Sequence, residues 1–148
     1  MAAKVTADRI VGRRVLNAKY LLAQSGKTKV LFPAFEEARP GGVSLDCLHF
    51  EKSNPTRRAA VFARARSVAQ SEGHNVVGWA TVLTRTAIAD QAVSEIVHSP
   101  SGSNPGHADL IPHVLYVIGP ADPMARDKAR FLAKFLAELC FEHGEYAV

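Results

Sequence analysis

The fold is decided near the C-terminus, by the stretch DPMARDKARFLAKFLAELCFEHG at residues 122–144. Asp122 is a good N-cap, Pro123 fits the first helical position, and Gly144 ends the pattern. Apolar side chains recur at helical spacing and predict one continuous face, formed by Phe131, Leu132, Phe135, Leu136, Leu139 and Cys140. A helix with such a face needs a partner layer, so we expect it to lie across a β-sheet.

The rest of the chain predicts short strands and further helices. Apolar residues at a period of two predict strands at 27–32, 43–50, 76–84, 93–98 and 107–118, the last bent or divided at Pro112. Helical spacing and caps predict helices at 7–24 and 55–71, with a short helix or broad turn at 86–92. Strands and helices do not alternate regularly. This order predicts an α+β fold, with a mostly antiparallel sheet of about five strands and helices packed on one face. A half-open barrel around the last helix is the alternative.

Length and composition limit the class of protein. The 148 residues have an ordinary apolar content and predict a single domain over 1–148. The sequence has neither an apolar run near the ~20 residues that cross a bilayer nor a signal-peptide core, so we expect a soluble, cytoplasmic protein without membrane contact. Cys47 and Cys140 have no partner at metal-ligand spacing and are expected to be reduced and buried. No phosphate-binding loop, nucleophile elbow or dinucleotide fingerprint is present, so no cofactor and no metal is indicated.

The strongest candidate for a functional segment is SGSNPGHAD at residues 101–109. A loop rich in serine, glycine and proline lets the backbone approach a ligand closely. On the following strand His107 and Asp109 project to the same face, where Asp109 could orient His107 as a general base. The alternative interpretation is a plain turn, in which both side chains bond to nearby backbone.

The same loop defines a candidate ligand pocket. If it closes like a hairpin, His98 approaches His107 and Asp109, and we take His98, Ser101 and Asn104 as candidate ligand-binding residues. The motif His107-x-Asp109 also resembles the first two ligands of the iron site in double-stranded β-helix oxygenases. That resemblance covers two residues, and the many strands and distant histidine of the family do not follow them here.

A further pairing of a carboxylate with an imidazole occurs in SLDCLH at residues 44–49. Asp46 and His49 point to opposite faces of a strand unless a bulge intervenes. We therefore expect two separate, partly exposed polar residues rather than a joint site.

Basic residues are concentrated at the N-terminus of a chain whose formal net charge is +4. On the predicted first helix Arg9, Arg13, Arg14 and Lys19 could contact nucleic acid. A solvated helix face is the simpler interpretation, because aromatic side chains do not interleave with the charges as base stacking requires.

Three functional hypotheses follow from these patterns. The leading one is a small binding or accessory domain with a pocket near residues 98–113, whose partner is a small molecule, a protein or a second copy in a homodimer. The second is a small hydrolase or transferase using His107 and Asp109, which requires both side chains to line one cavity. The third is a nucleic-acid binder acting through the basic N-terminal helix.

Overall fold

The computed structural model describes residues 3–48, 55–102 and 104–148. Its helices are α1 (Pro55–Ser71), α2 (Thr84–Ala89) and α3 (Ala125–His143). Its strands are β1 (Ala3–Lys4), β2 (Ile10–Val15), β3 (Leu21–Gln24), β4 (Lys27–Val30), β5 (Val43–Leu48), β6 (Gly78–Leu83), β7 (Val93–His98), β8 (His107–Pro112) and β9 (Gly144–Ala147).

The described strands build one large antiparallel sheet and one small hairpin. The sheet has seven strands in the order β1-β7-β8-β5-β2-β6-β9, and β3 pairs with β4 separately. Every pairing is antiparallel. The α+β class, the antiparallel sheet and the C-terminal helix across it are confirmed, with seven strands in place of about five.

Helices pack on both faces of the sheet. α3 contributes Leu132, Leu136 and Cys140 to a core that also holds Val11, Val15, Val43, Leu45, Ala80 and Val82. α1 contributes Phe62, Ala65 and Ala69 to a second core, with Ile10 and Trp79. Because neighbouring strand residues point to opposite faces, the two helices lie on opposite sides. We expected the helices on one face, and α1 departs from this because the apolar stripe of a helix does not specify which face of a sheet it covers.

The predicted N-terminal helix at 7–24 is wrong. Residues Ile10–Val15 form β2, which lies inside the sheet between β5 and β6. Val11 and Val15 do recur at helical spacing, but Ile10 is buried as well, on the other face. A strand covered on both faces loses the alternation that would reveal it.

The C-terminal third follows the prediction with shifts at its boundaries. The segment expected as a strand after Pro112 is a 3₁₀ turn, Val114–Tyr116. α3 begins at Ala125, and Asp122 caps the preceding turn by accepting hydrogen bonds from the N–H groups of Gly119 and Met124. Phe131 is not part of the buried face, since it is 48% exposed and stacks on Tyr116 with ring centroids 4.4 Å apart.

In the described part of the chain, each helix is too short or too polar to cross a membrane.

Candidate binding site

A cleft of about 750 Å³, called the large cleft below, opens at one end of the strand pair β2 and β5. β2 and β5 supply one wall with Arg14 and Asp46, the loop between β7 and β8 supplies Ser101 and Asn104, and β8 supplies His107. The segment after α1 adds Glu72 and His74, and other lining residues are Arg13, Tyr20, Glu36 and Glu37. Of the segment 98–113, where the sequence predicts a pocket, Ser101, Asn104 and His107 line this cleft.

A buried ion pair forms part of the cleft wall. Asp46 is 3% exposed, and its two carboxylate oxygens accept hydrogen bonds from Nε and Nη2 of Arg14 at 2.8 and 3.0 Å. Nδ2 of Asn104 donates to Oδ1 of Asp46 at 3.0 Å. The paired fork geometry neutralises the carboxylate, which could not be buried alone without a large desolvation cost.

Local bonds hold Asn104 in this position. Its N–H donates to Oγ of Ser101 at 3.1 Å, and its carbonyl accepts from the N–H groups of Ser101 and His107 at 3.1 and 3.2 Å. The carbonyl of Gly106 accepts from the N–H of Cys47 at 2.6 Å, which ties the loop to β5. The Ser-Gly-Asn-Pro composition of the loop therefore produces a tight turn that places one amide beside Asp46.

A second ion-pair network borders the cleft at Arg13, the residue that follows the last paired position of β2 with β5. Arg13 donates from Nη1 to Glu37 at 2.9 Å and to the carbonyl of Ser44 at 2.8 Å. Arg39 contacts Glu37 as well, and the N–H of Ser44 donates to Glu37 at 2.8 Å. Burial alone would raise the pKa of Glu37, but the hydrogen bonds and charges of Arg39 and Arg13 outweigh it and lower the pKa. Desolvation lowers the pKa of Arg13.

His107 is held through a serine. Its Nδ1 lies 2.9 Å from Oγ of Ser99 and 3.1 Å from the Ser99 carbonyl oxygen, and that hydroxyl donates to Oδ2 of Asp109 at 2.8 Å. A carbonyl can only accept, so Nδ1 carries the hydrogen and Nε2 of the neutral ring keeps its lone pair. Nε2 forms no hydrogen bond with a described residue.

The structure brings together some of the predicted site residues and separates others. Ser101, Asn104 and His107 line the large cleft, whereas Asp109 does not. Asp109 bonds to Ser99 and to Nη2 of Arg39 at 3.2 Å, and it forms no hydrogen bond with His107. The arrangement that the enzyme hypothesis requires, with both side chains lining one cavity, is not formed there.

His98 belongs to a different concavity. The loop does close as a hairpin, with His98 opposite Ala108 and the N–H of Ser99 donating to the carbonyl of His107 at 2.9 Å. Nε2 of His98 lies 2.6 Å from the carbonyl oxygen of Pro105. Its side chain lines a second cavity beside α1, not the large cleft.

Sequence reasoning missed the Asp46 pair. We expected Asp46 to be partly exposed, but it is buried, and its proposed neighbour His49 lies outside the described residues. A carboxylate between Leu45 and Cys47 in a strand was the available signal, because an acid inside an apolar run needs a cationic partner.

The basic residues proposed for nucleic acid do not share a helix. Arg13 and Arg14, both on β2, are engaged by Glu37 and Asp46. Lys19 is exposed on a 3₁₀ turn, where its Nζ lies 5.4 Å from the centroid of the Tyr20 ring. Arg9 precedes β2 and is half-buried. The four residues therefore do not form the continuous basic face that the nucleic-acid hypothesis requires of them.

Within residues 3–48, 55–102 and 104–148, no group of three or more His, Cys, Asp or Glu side chains is placed to hold a metal ion. His107 and Asp109 therefore lack a third such ligand in this part of the chain, and the geometry adds nothing to the iron-site resemblance. Comparison with protein-family models, with curated proteins and with solved structures found no significant match.

Proposed function

We propose that this protein is a binding domain that takes a polar ligand in the large cleft. The observation that carries the proposal is the Arg14–Asp46–Asn104 network, a buried polar cluster exposed along one side to a cavity of about 750 Å³. A cavity of this size suits a metabolite or a short piece of a larger partner. Fixed polar groups at its wall give orientation and specificity without a cost of ordering them on binding.

The balance of charge favours a polar ligand over a polyanion. The two arginines at the cleft are matched by Glu37 and Asp46, while Glu36 and Glu72 form no ion pair with a described residue. A phosphate backbone would meet these acids without a surplus of basic groups.

The test is a two-dimensional NMR titration of the full chain with nucleosides, monosaccharides, amino acids and short peptides. We expect at least one class to shift the amide signals of Ser101, Asn104 and His107 together. His107→Gln should weaken that binding by about tenfold, the effect of about one lost hydrogen bond. His143→Gln is the matched control, since His143 lies outside the large cleft and is mostly exposed.

Two results would remove the proposal. One is that every compound in the panel leaves the cleft signals unchanged at millimolar concentration. The other is that the compounds that bind shift residues elsewhere and bind His107→Gln as tightly as the wild type.

Hydrolysis is the second candidate, supported by the Ser99 link. With Nδ1 held by Ser99, His107 presents the Nε2 lone pair on a side chain that lines the cleft. There it would take a proton from water as the water oxygen attacks an ester carbonyl, and return it to the leaving alkoxide as the C–O bond breaks. Binding is favoured because Asp109 does not line the cleft and no described nucleophile bonds to Nε2.

A chromogenic acetate ester tests this candidate directly. Exposed imidazoles hydrolyse such esters slowly, so the relevant comparison is His107→Ala with His143→Ala. A loss of turnover confined to His107→Ala supports hydrolysis, whereas equal small losses in both variants remove it.

A further inference from the structure

The large cleft adjoins a second cavity, and the two share lining residues. The second cavity has a volume of about 370 Å³ and is lined by Arg64 of α1, His98 and Pro105, among others. Asp46 and Asn104 line both spaces. A ligand that contacted residues of both cavities would have to be elongated and to pass Asn104.

Asn104 has hydrogen-bonding capacity left for such a ligand. Asn104 is only 7% exposed, and its Nδ2 donates one of its two hydrogens to Asp46. Oδ1 accepts no hydrogen bond from a described residue, and a carboxamide NH₂ has a second hydrogen to donate. A free acceptor beside a free donor matches the N–H and C=O of a peptide group.

The unpaired charges that line the two cavities have opposite signs. Glu36 and Glu72 lie in the large cleft, and Arg64 lies in the second cavity. None of the three forms an ion pair with a described residue. The large cleft thus carries unpaired acids and the second cavity an unpaired base, and Asn104 borders both.

We infer that the ligand is an extended peptide segment that crosses Asn104 with a cationic group toward Glu36 and Glu72 and a carboxylate toward Arg64. This inference rests on the proposed binding function and names the chemical class of its ligand. The peptide backbone pairs with the Asn104 carboxamide, and the charges at the ends of the segment set its direction.

The experiment is a titration of the full chain with alanine peptides that carry Lys at one end and Glu at the other. The spacer varies from about one to about six residues, since an extended chain rises about 3.3 Å per residue. Peptides with Lys at both ends or Glu at both ends are the charge controls, and affinities are measured by NMR. We expect the Lys/Glu peptides to bind most tightly, with one preferred length, and to shift Asn104.

Arg64→Glu reverses the charge in the second cavity and leaves the Arg14–Asp46–Asn104 network unchanged. Arg64 is exposed, and so is Arg130 on α3, which makes Arg130→Glu the matched control. Arg64→Glu should weaken the binding of the Lys/Glu peptide by about fivefold and strengthen the binding of the Lys/Lys peptide, because both cavities are then acidic. Arg130→Glu should change neither.

The outcomes separate the two proposals. If peptides leave Asn104 unshifted while another polar class shifts it, the peptide inference is wrong and the binding function stands. If no compound shifts the cleft, both are wrong. If Arg64→Glu binds every peptide as the wild type does, the proposed direction of the peptide is overturned.

Discussion

Arg14 and Asp46 are joined by two parallel hydrogen bonds of 2.8 and 3.0 Å, although they stand 32 positions apart in the chain. The pairing of Gly12 with Asp46 between β2 and β5 brings them together. The bond is both a structural link within the sheet and part of the wall of the proposed binding site.

Asp46→Asn should destabilise the protein because it leaves the Arg14 guanidinium partly buried without a counter-charge. We expect a loss of about 2–4 kcal/mol in the free energy of unfolding, measured by urea denaturation. Glu95→Gln is the control, since its partner Lys4 is 79% exposed and such surface pairs contribute about 0.5 kcal/mol. Equal stability of the two variants would show that the Arg14–Asp46 pair has no special structural role.

Gly42→Ala should be more damaging than Gly26→Ala. Both glycines have positive φ, +92° and +74°, so each substitution strains the backbone by about 1 kcal/mol. At Gly42 a Cβ would also collide with the carbonyl oxygen of Leu110, whereas at Gly26 it meets nothing within 4 Å. We expect Gly42→Ala to cost at least about 1 kcal/mol more. Thermal unfolding of the two variants side by side checks this, and identical midpoints would contradict it.

Asp122→Asn should alter how stability depends on acid. Hydrogen bonds from Lys128 and from the N–H groups of Met124 and Gly119 lower the pKa of Asp122 from 3.8 to about 2. A carboxyl with a lowered folded-state pKa stabilises the protein above its unfolded pKa, and this contribution is lost as the pH falls from about 4 to about 2. The variant should therefore be less stable than the wild type near neutral pH.

The difference between wild type and Asp122→Asn should shrink as the pH approaches about 2, in urea denaturation at several pH values. Asp127→Asn is a suitable control, because Asp127 is exposed in the first turn of α3 and bonds to no described residue. A constant difference at every pH would rule out the assigned role of Asp122.

Cys47 and Cys140 should resist thiol reagents in the native protein. Burial raises the pKa of the Cys47 thiol to about 11 and that of Cys140 to about 12, so the reactive thiolate is scarce near pH 8. An aromatic disulfide reagent should label neither cysteine quickly under native conditions and both in concentrated urea. Rapid native labelling of either thiol would be inconsistent with its burial.

The fold was predictable wherever one face of an element meets solvent. α1 and α3 have apolar stripes opposite polar residues, and the predicted end of α3 at Gly144 is confirmed by the extended backbone of that residue, with φ −127° and ψ −158°. β2 was not predictable, because it is covered on both faces and its arginines are neutralised by acids distant in the chain rather than by water.

The candidate site divides in the same way. Ser101 and Asn104 lie in the loop before β8 and His107 begins β8, so local composition was sufficient to name three residues that line the large cleft. Their role in binding a ligand stays a prediction. Asp46, which accepts a hydrogen bond from Asn104, is brought near by the pairing of β5 with β8. Strand pairing depends on contacts between distant parts of the chain, which no short window of sequence contains. The role of Ser99 between His107 and Asp109 likewise follows from the side-chain geometry of the hairpin.

Ser99→Ala should shift the tautomeric equilibrium of the neutral His107 ring toward the form that carries its hydrogen on Nε2. In the wild type Nδ1 bonds to the Ser99 hydroxyl and carbonyl oxygens, so we expect the hydrogen on Nδ1 and a free lone pair on Nε2. Removing the hydroxyl breaks the link to Asp109 and leaves the Ser99 carbonyl at 3.1 Å as the one remaining acceptor, so the hydrogen should stay mainly on Nδ1 while the fraction of rings that carry it on Nε2 rises. Nitrogen-15 chemical shifts of the neutral ring distinguish the two forms. His113 provides an internal reference, because its Nδ1 accepts a weak hydrogen bond from the N–H of Leu115 and does not contact Ser99. If His107 in the wild type already carries its hydrogen on Nε2, then Ser99 does not orient the ring, and the hydrolytic candidate loses its supporting observation.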